Sequence, residues 1–132
     1  MAKAASPPAL PTDAELEILT VLWNRGPSTV RDVHDEINRH KTAQYTTVLK
    51  TLQIMTSKGL VRRDEEQRAH VYAATRPREW TQRQLAGDLL QRAFGGSARS
   101  LLVGALSASK ASRAELAEIR KLIEEYERKE NQ

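Results

Sequence analysis

Residues Thr42 to Ser57 read TAQYTTVLKTLQIMTS and are followed at once by Lys58-Gly59. Val48, Thr51, Leu52 and Met55 fall at i, i+3, i+4 and i+7, the period of a helix that buries one stripe. The remaining surface offers Gln44, Thr46, Thr47, Lys50 and Gln53, short or flexible hydrogen-bonding side chains of the kind that meet base edges and phosphates. From Ile37 to Arg63 the chain carries Arg39, Lys41, Lys50, Lys58, Arg62 and Arg63 and no Asp or Glu, although acids are common elsewhere. A phosphate backbone selects such a window. Taken alone, a solvated helix beside a basic run would read the same way.

Composition narrows the classes. At 132 residues the chain suits one small domain with an appendage. A hydrophobic share of 39% with 29% charged residues describes a soluble globular protein, and no apolar run approaches the roughly 18 residues of a membrane span, so the expected location is cytoplasmic without membrane insertion. The opening MAKAASPPALP is too short and too weakly apolar for a signal peptide and reads as a flexible arm. Without cysteine there is no disulfide, thiolate cluster or cysteine nucleophile. The three histidines, His34, His40 and His70, lack the i, i+4 pairing of a helical metal site, so neither metal nor cofactor is expected. A net charge of +4 and a pI near 9.6 permit nucleic-acid binding.

In chain order, Thr12-Asp-Ala-Glu15 is a capping box that opens a first helix running to about Asn24, with Leu16, Leu19, Leu22 and Trp23 as its expected buried stripe, widened by Ile18 and Val21. Gly26-Pro27 stops it. Ser28 or Thr29 caps a short second helix through Asn38, burying Val30, Val33 and Ile37 with Arg31 outward. Two helices joined by a short linker have helix-turn-helix spacing. After Gly59 the period changes to alternation: Leu60 to Arg63, the polar tip Asp64-Glu-Glu-Gln67, then Arg68 to Ala73, a two-stranded hairpin that must pack on the helices as a wing. Its Arg62, Arg63, Arg68 and His70, with Arg31, Arg39 and Lys41, are candidate phosphate contacts.

Beyond Thr75 three more amphipathic helices are expected. The first, from about Pro77 to Phe94, has Trp80, Leu85, Leu89, Leu90 and Phe94 as burial points. The second, ARSLLVGAL from Ala98 to Leu106, is apolar on most sides and includes Leu101, Leu102 and Leu106. The last opens with the box Ser112-Arg-Ala-Glu115 and spaces Leu116, Ile119, Ile123 and Tyr126 in a 3-4-3 pattern. Helices with no sizeable core of their own imply self-association, so Leu85, Leu89 and Phe94 and the named residues of the two later helices are candidate dimer contacts. The expected fold is mostly α: an arm over residues 1–11, a winged helix-turn-helix over 12–75 and a helical dimerisation domain over 76–132.

The order of elements, the YTTV opening of the third helix, Lys58-Gly59-Leu60-Val61, the wing strand Arg68-Ala-His-Val-Tyr72 and LLQRAFGGSARSLLVGAL together resemble the penicillinase-repressor family of the BlaI/MecI type, over about Leu10 to Arg128. The resemblance implies a dimeric winged-helix repressor on double-stranded operator dyads (inverted repeats), released when a membrane sensor-metallopeptidase signals a β-lactam. It places Thr46, Thr47 and Lys50 at recognition-helix positions and Arg68 at the wing arginine. Members cleaved on induction carry an Asn-Phe bond in the fifth helix, where this sequence has Gly104-Ala105. The cysteine cluster of the copper-responsive branch has no counterpart.

Other classes read differently. An enzyme would need a nucleophile with its base, paired carboxylates in a pocket or a metal set, and no such constellation is present. A winged helix that binds proteins rather than DNA is opposed by the acid-free window. A small-molecule-sensing winged-helix regulator would place a pocket beside the C-terminal helices, with Trp80 and Phe94 among its lining.

Overall fold

A computed structural model describes residues 9–66 and 68–131; residues 1–8 of the expected arm over 1–11, and Gln67 of the hairpin tip, lie outside the described residues. The elements are α1 (Asp13–Arg25), β1 (Ser28–Thr29), α2 (Val30–Asn38), α3 (Tyr45–Lys58), β2 (Val61–Asp64), β3 (Val71–Ala74), α4 (Arg78–Phe94), α5 (Ala98–Ala108) and α6 (Arg113–Glu130). They form two compact units that divide between Ala86 and Gly87, inside α4 rather than at Thr75.

In the first unit the local rules and the packing agree. Thr12 and Thr29 each cap a helix through a reciprocal box, Thr12 with Glu15 and Thr29 with Asp32. Gly59 ends α3 in the left-handed conformation (φ 79°), its N–H reaching the Met55 and Thr56 carbonyls, and this turns the chain into β2. The sheet has three strands rather than the two of the expected wing. Ser28 and Thr29 pair antiparallel with Tyr72 and Val71, and β3 is the central strand in the order β1-β3-β2. A short strand before α2 satisfies the free edge of β3, an outcome that two residues of sequence are too short to signal.

The core joins one face of each helix to the inner face of the sheet: Ile18, Leu19, Val21 and Leu22 of α1, Val30, Val33 and Ile37 of α2, Val48, Leu52 and Met55 of α3, then Val61 and Tyr72. Each fully buried aliphatic here contributes on the order of 2 kcal/mol. The buried face of α1 therefore runs through 15, 18, 19 and 22. Leu16 and Trp23, expected in that stripe, are only half-buried, because the indole is drawn to the edge where its Nε1 donates to the Arg76 carbonyl at 3.0 Å. Thr51 is likewise half-buried; its hydroxyl donates to the Thr47 carbonyl at 2.8 Å. The first turns of α4 complete this unit. Thr81 is buried, Arg78 bonds Asn24 and stacks on Trp23 at 5.6 Å, and Arg76 lies 4.8 Å from the Trp80 ring.

The second unit is built from helices whose caps are as well formed but whose apolar faces stay open. Ser97 accepts from Ser100 N and Ser112 from Glu115 N, both at 3.1 Å. For Ser112 only the serine half of the expected box is present. Neither α5 nor α6 buries any residue. Of the burial points expected in α4, Leu89 is 41% exposed, and Thr81 is the buried residue instead. Among the described residues no helix is long and apolar enough to cross a membrane.

Candidate nucleic-acid interface

The turn before α3 is locked by side chains of α2. Asn38 donates through Nδ2 to the Ala43 carbonyl at 3.1 Å and accepts from Ala43 N at 3.0 Å, while the His34 Nε2 lies 2.9 Å from the same carbonyl. A carbonyl has no proton to give, so the histidine donates, which places its proton on Nε2. α3 then starts at Tyr45, at the expected YTTV opening, and its N-cap Gln44 makes no side-chain bond to the free amides. Its first turn carries no acid. The first turn thus keeps amide donors and a partial positive charge for an outside acceptor.

Along α3 the expected contact residues Gln44, Thr46, Thr47, Lys50 and Gln53 are all exposed. Thr46, Lys50 and Gln53, at i, i+4 and i+7, share one stripe. Ile54, 45% exposed and seven residues after Thr47, adds an apolar group of the type that meets a thymine methyl. That spacing was visible in the sequence, but Ile54 reads there as an ordinary apolar helix residue.

The acid-free window does not leave every cation free. Lys58 donates to both oxygens of the buried Glu15 at 2.9 and 3.0 Å, Lys41 meets Glu17 at 2.9 Å, and Arg39 meets Glu36 at 3.2 Å. Arg63 bonds Glu65, whose carboxylate, followed by the Tyr72 hydroxyl, holds the guanidinium above its ordinary range. Glu15 and Glu17, distant in sequence, fold onto the window, which no local count of charges can detect, while Glu36 and Glu65 flank its two edges. Among the described residues Arg31, Lys50, Arg62 and Arg68 have no carboxylate partner.

Of these, Arg31 and Arg68 come together with His70, Tyr45 and Leu49 around one open cleft of about 410 Å³, between the start of α2, the first half of α3 and the approach to β3. Arg62 does not join them. Strand alternation puts Val61, Arg63 and Tyr72 on the inner face and Arg62, opposite Ala73, on the outer one. There it lines a separate cleft with Trp23, Pro27, Arg76 and Pro77.

A model of the penicillinase repressor family matches residues 11–125 of this chain. The chain belongs to the penicillinase repressor family. Its members are DNA-binding transcriptional repressors, not enzymes. The transcriptional regulator BlaI of Mycobacterium tuberculosis is 37% identical over 93 residues, 69% of this chain and 67% of that protein. The penicillinase repressor of Bacillus licheniformis is 23% identical over 121 residues, 92% of this chain and 94% of its own length. A solution structure of the Bacillus licheniformis BlaI monomeric form in complex with the blaP half-operator is 26% identical, with a TM-score of 0.47 over 54% of this chain and 89% of that one.

In the second unit, the expected dimer contacts Leu101, Leu102, Ile119, Ile123 and Tyr126 line one apolar groove of about 520 Å³ between α5 and α6. Leu122, 50% exposed in the same groove, was not singled out in the sequence, and Val103 of the apolar ARSLLVGAL stretch is also 50% exposed. Leu116 is 39% exposed, and Leu106 and Phe94 are half-buried. Leu85 is half-buried within the first unit, apart from the others. The Phe94 ring packs over Gly104, where an added Cβ would meet it at 3.5 Å, an ordinary contact.

Proposed function

We propose that this protein represses transcription as a homodimer, each protomer presenting α3 to the major groove of one half of an inverted-repeat operator. The observation that carries the reading is the exposed, acid-free and side-chain-uncapped start of α3 beside Arg31 and Arg68. Thr46, Thr47, Lys50, Gln44 and Gln53 read base edges, and Arg31, Arg68 and His70 hold phosphates. Arg39, Lys41 and Arg63 reach phosphates only by leaving their present carboxylates, and Arg62 only from the outer face of the sheet. One helix with a few base contacts, each worth about 1 to 3 kcal/mol, does not outcompete a genome of nonspecific sites, which is why two half-sites are needed.

The regulated genes are β-lactam-responsive or related ones, and release follows a signal from a membrane sensor-peptidase. The switch acts on α5, by cleavage or displacement, because loss of the pair lowers affinity for the dyad without touching α3. Gly104-Ala105 lies inside α5 with Phe94 against it, so hydrolysis needs local opening, which Gly104 eases by about 1 kcal/mol relative to alanine.

The test is selection of duplexes from a random pool by the full chain, followed by footprinting. An inverted repeat with both halves protected is expected, and Thr47→Ala should narrow the gap between selected and mixed-sequence DNA by about 1 to 3 kcal/mol. Selection of no sequence, or an equal loss on every sequence, would overturn the assignment of α3.

A further inference from the structure

We infer that Tyr45 donates its phenolic hydroxyl to a backbone phosphate and that His34 is the residue that positions it; this deepens the DNA-binding reading above and rests on it. Tyr45 is the first residue of α3 and is 46% exposed, so its ring serves the surface and not the core. It is nevertheless held. The His34 ring meets it edge-on, with centroids 5.7 Å apart and planes at 72°. His34 in turn is fixed through its Nε2 to the Ala43 carbonyl, to which the Asn38 amide also donates. A surface aromatic braced by a ring that is itself hydrogen-bonded to the backbone has lost rotamer freedom before any ligand arrives, and the cost of ordering it on binding is correspondingly small.

The direction of Tyr45 decides what it meets. Tyr45 and Leu49, at i and i+4, both line the cleft that Arg31, Arg68 and His70 surround. Thr46, Lys50 and Gln53 occupy the neighbouring stripe. Tyr45 therefore faces the cleft of the unpaired Arg31 and Arg68, where a bound duplex would place its phosphates, and the adjacent stripe faces the bases. A tyrosine hydroxyl is a neutral donor and phosphate oxygens are among its usual acceptors in protein–DNA contacts. The sequence gives no such hint, because a tyrosine at a helix start reads as core or as a staple.

A neutral donor leaves a signature that a cation does not. It adds affinity without releasing a counterion, so its removal changes binding strength and leaves the salt slope alone. The experiment uses the full chain, a mixed-sequence duplex and the tightest duplex from a random pool, each titrated over a range of salt. Tyr45→Phe, which keeps the ring and its contact with His34, should weaken both duplexes by the same factor, about fivefold, at unchanged slope. His34→Gln keeps a donor for Ala43 but removes the ring edge; it should weaken binding in the parent chain and cost nothing further in the Tyr45→Phe background. Normal binding by Tyr45→Phe overturns the assignment, and a loss confined to the selected duplex overturns it in favour of a base contact. Equal cost of His34→Gln in both backgrounds overturns the positioning role. If the unaltered chain shows no salt-dependent binding to either duplex, the DNA-binding reading itself falls, and this inference with it.

Discussion

The two units use the same helix chemistry to opposite ends. In the first, α1, α2 and α3 turn their apolar stripes on one another and on the sheet, and the buried apolar core of the described residues runs from Ile18 to Tyr72. In the second, α5 and α6 have equally clear stripes and caps, yet Leu102, Val103, Leu116, Leu122, Ile123 and Tyr126 stay exposed. A periodic stripe says that a helix has an apolar face and says nothing about what covers it. Where the cover lies within the chain, the result is a core; where it does not, the face remains available to a second molecule.

The sharpest way to break this contrast is to remove the second unit. A fragment ending at Ala86 keeps Thr81 and the Trp23–Arg76 bond, and it is expected to be a folded monomer whose operator affinity falls by orders of magnitude. Sedimentation equilibrium with DNA titration checks both. Ending the fragment at Thr75 would instead remove the carbonyl that Trp23 bonds and expose part of α1, lowering the melting temperature further. A smaller perturbation is a single charge in the open groove. Leu122→Asp should weaken self-association about a hundredfold and leave the melting of the first unit unchanged, since a carboxylate desolvated in an apolar interface has no partner there. Unchanged association would place the dimer contact on another face.

What the sequence made legible follows the same division. Caps, periods and the change to alternation after Gly59 are local, and they placed all six helices and both wing strands. The missing pieces depend on residues far apart. β1 exists only because Ser28 and Thr29 meet Val71 and Tyr72, Leu16 gives way to Glu15 on the buried face, and the acid-free window is partly neutralised by Glu15 and Glu17 of α1. The exposed polar side of α3 was readable because it lies along one continuous stretch. The cleft that unites Arg31, Tyr45 and Arg68 was not, because it draws on three separate elements.

Glu15 shows how a cap can also be a tertiary tie. Burial raises its pKa, but the bonds from Lys58 Nζ and the Thr12 amide, with the Lys58 charge, more than offset this and hold the carboxyl below its ordinary range near 4.5. The folded state therefore binds fewer protons than the unfolded one between the two values. The stabilisation is complete above the unfolded value and is lost as pH falls through the depressed folded one. Glu15→Gln retains a side chain able to complete the capping box and removes the charge facing Lys58. It should cost about 2 kcal/mol at neutral pH, measured by denaturant unfolding, and flatten the loss of stability below about pH 4.5. An equally steep acid limb in the variant would assign that limb to other carboxylates.

The smallest expected effects distinguish the cations within the first unit. Arg68 has no carboxylate partner among the described residues and lines the α3 cleft, so a phosphate contact by it releases a counterion in full. Arg68→Ala should reduce the slope of log affinity against log salt by about 0.9 per subunit, with sequence preference intact. Arg63 starts from a different state, because Glu65 already neutralises it in the free protein. Handing its charge to a phosphate sets the Glu65 carboxylate free to gather a cation of its own, so the net count of ions changes less. Arg63→Ala should therefore flatten the slope by clearly less than Arg68→Ala, and adding Glu65→Gln to the otherwise unaltered chain should steepen it. Arg62, on the outer face of the sheet, is expected to alter the slope least. Equal slopes for the Arg63 and Arg68 variants would mean that the Glu65 pair opens without cost on DNA. A larger effect of Arg62→Ala than of Arg68→Ala would move the phosphate track from the cleft beside α3 to the outer face of the wing.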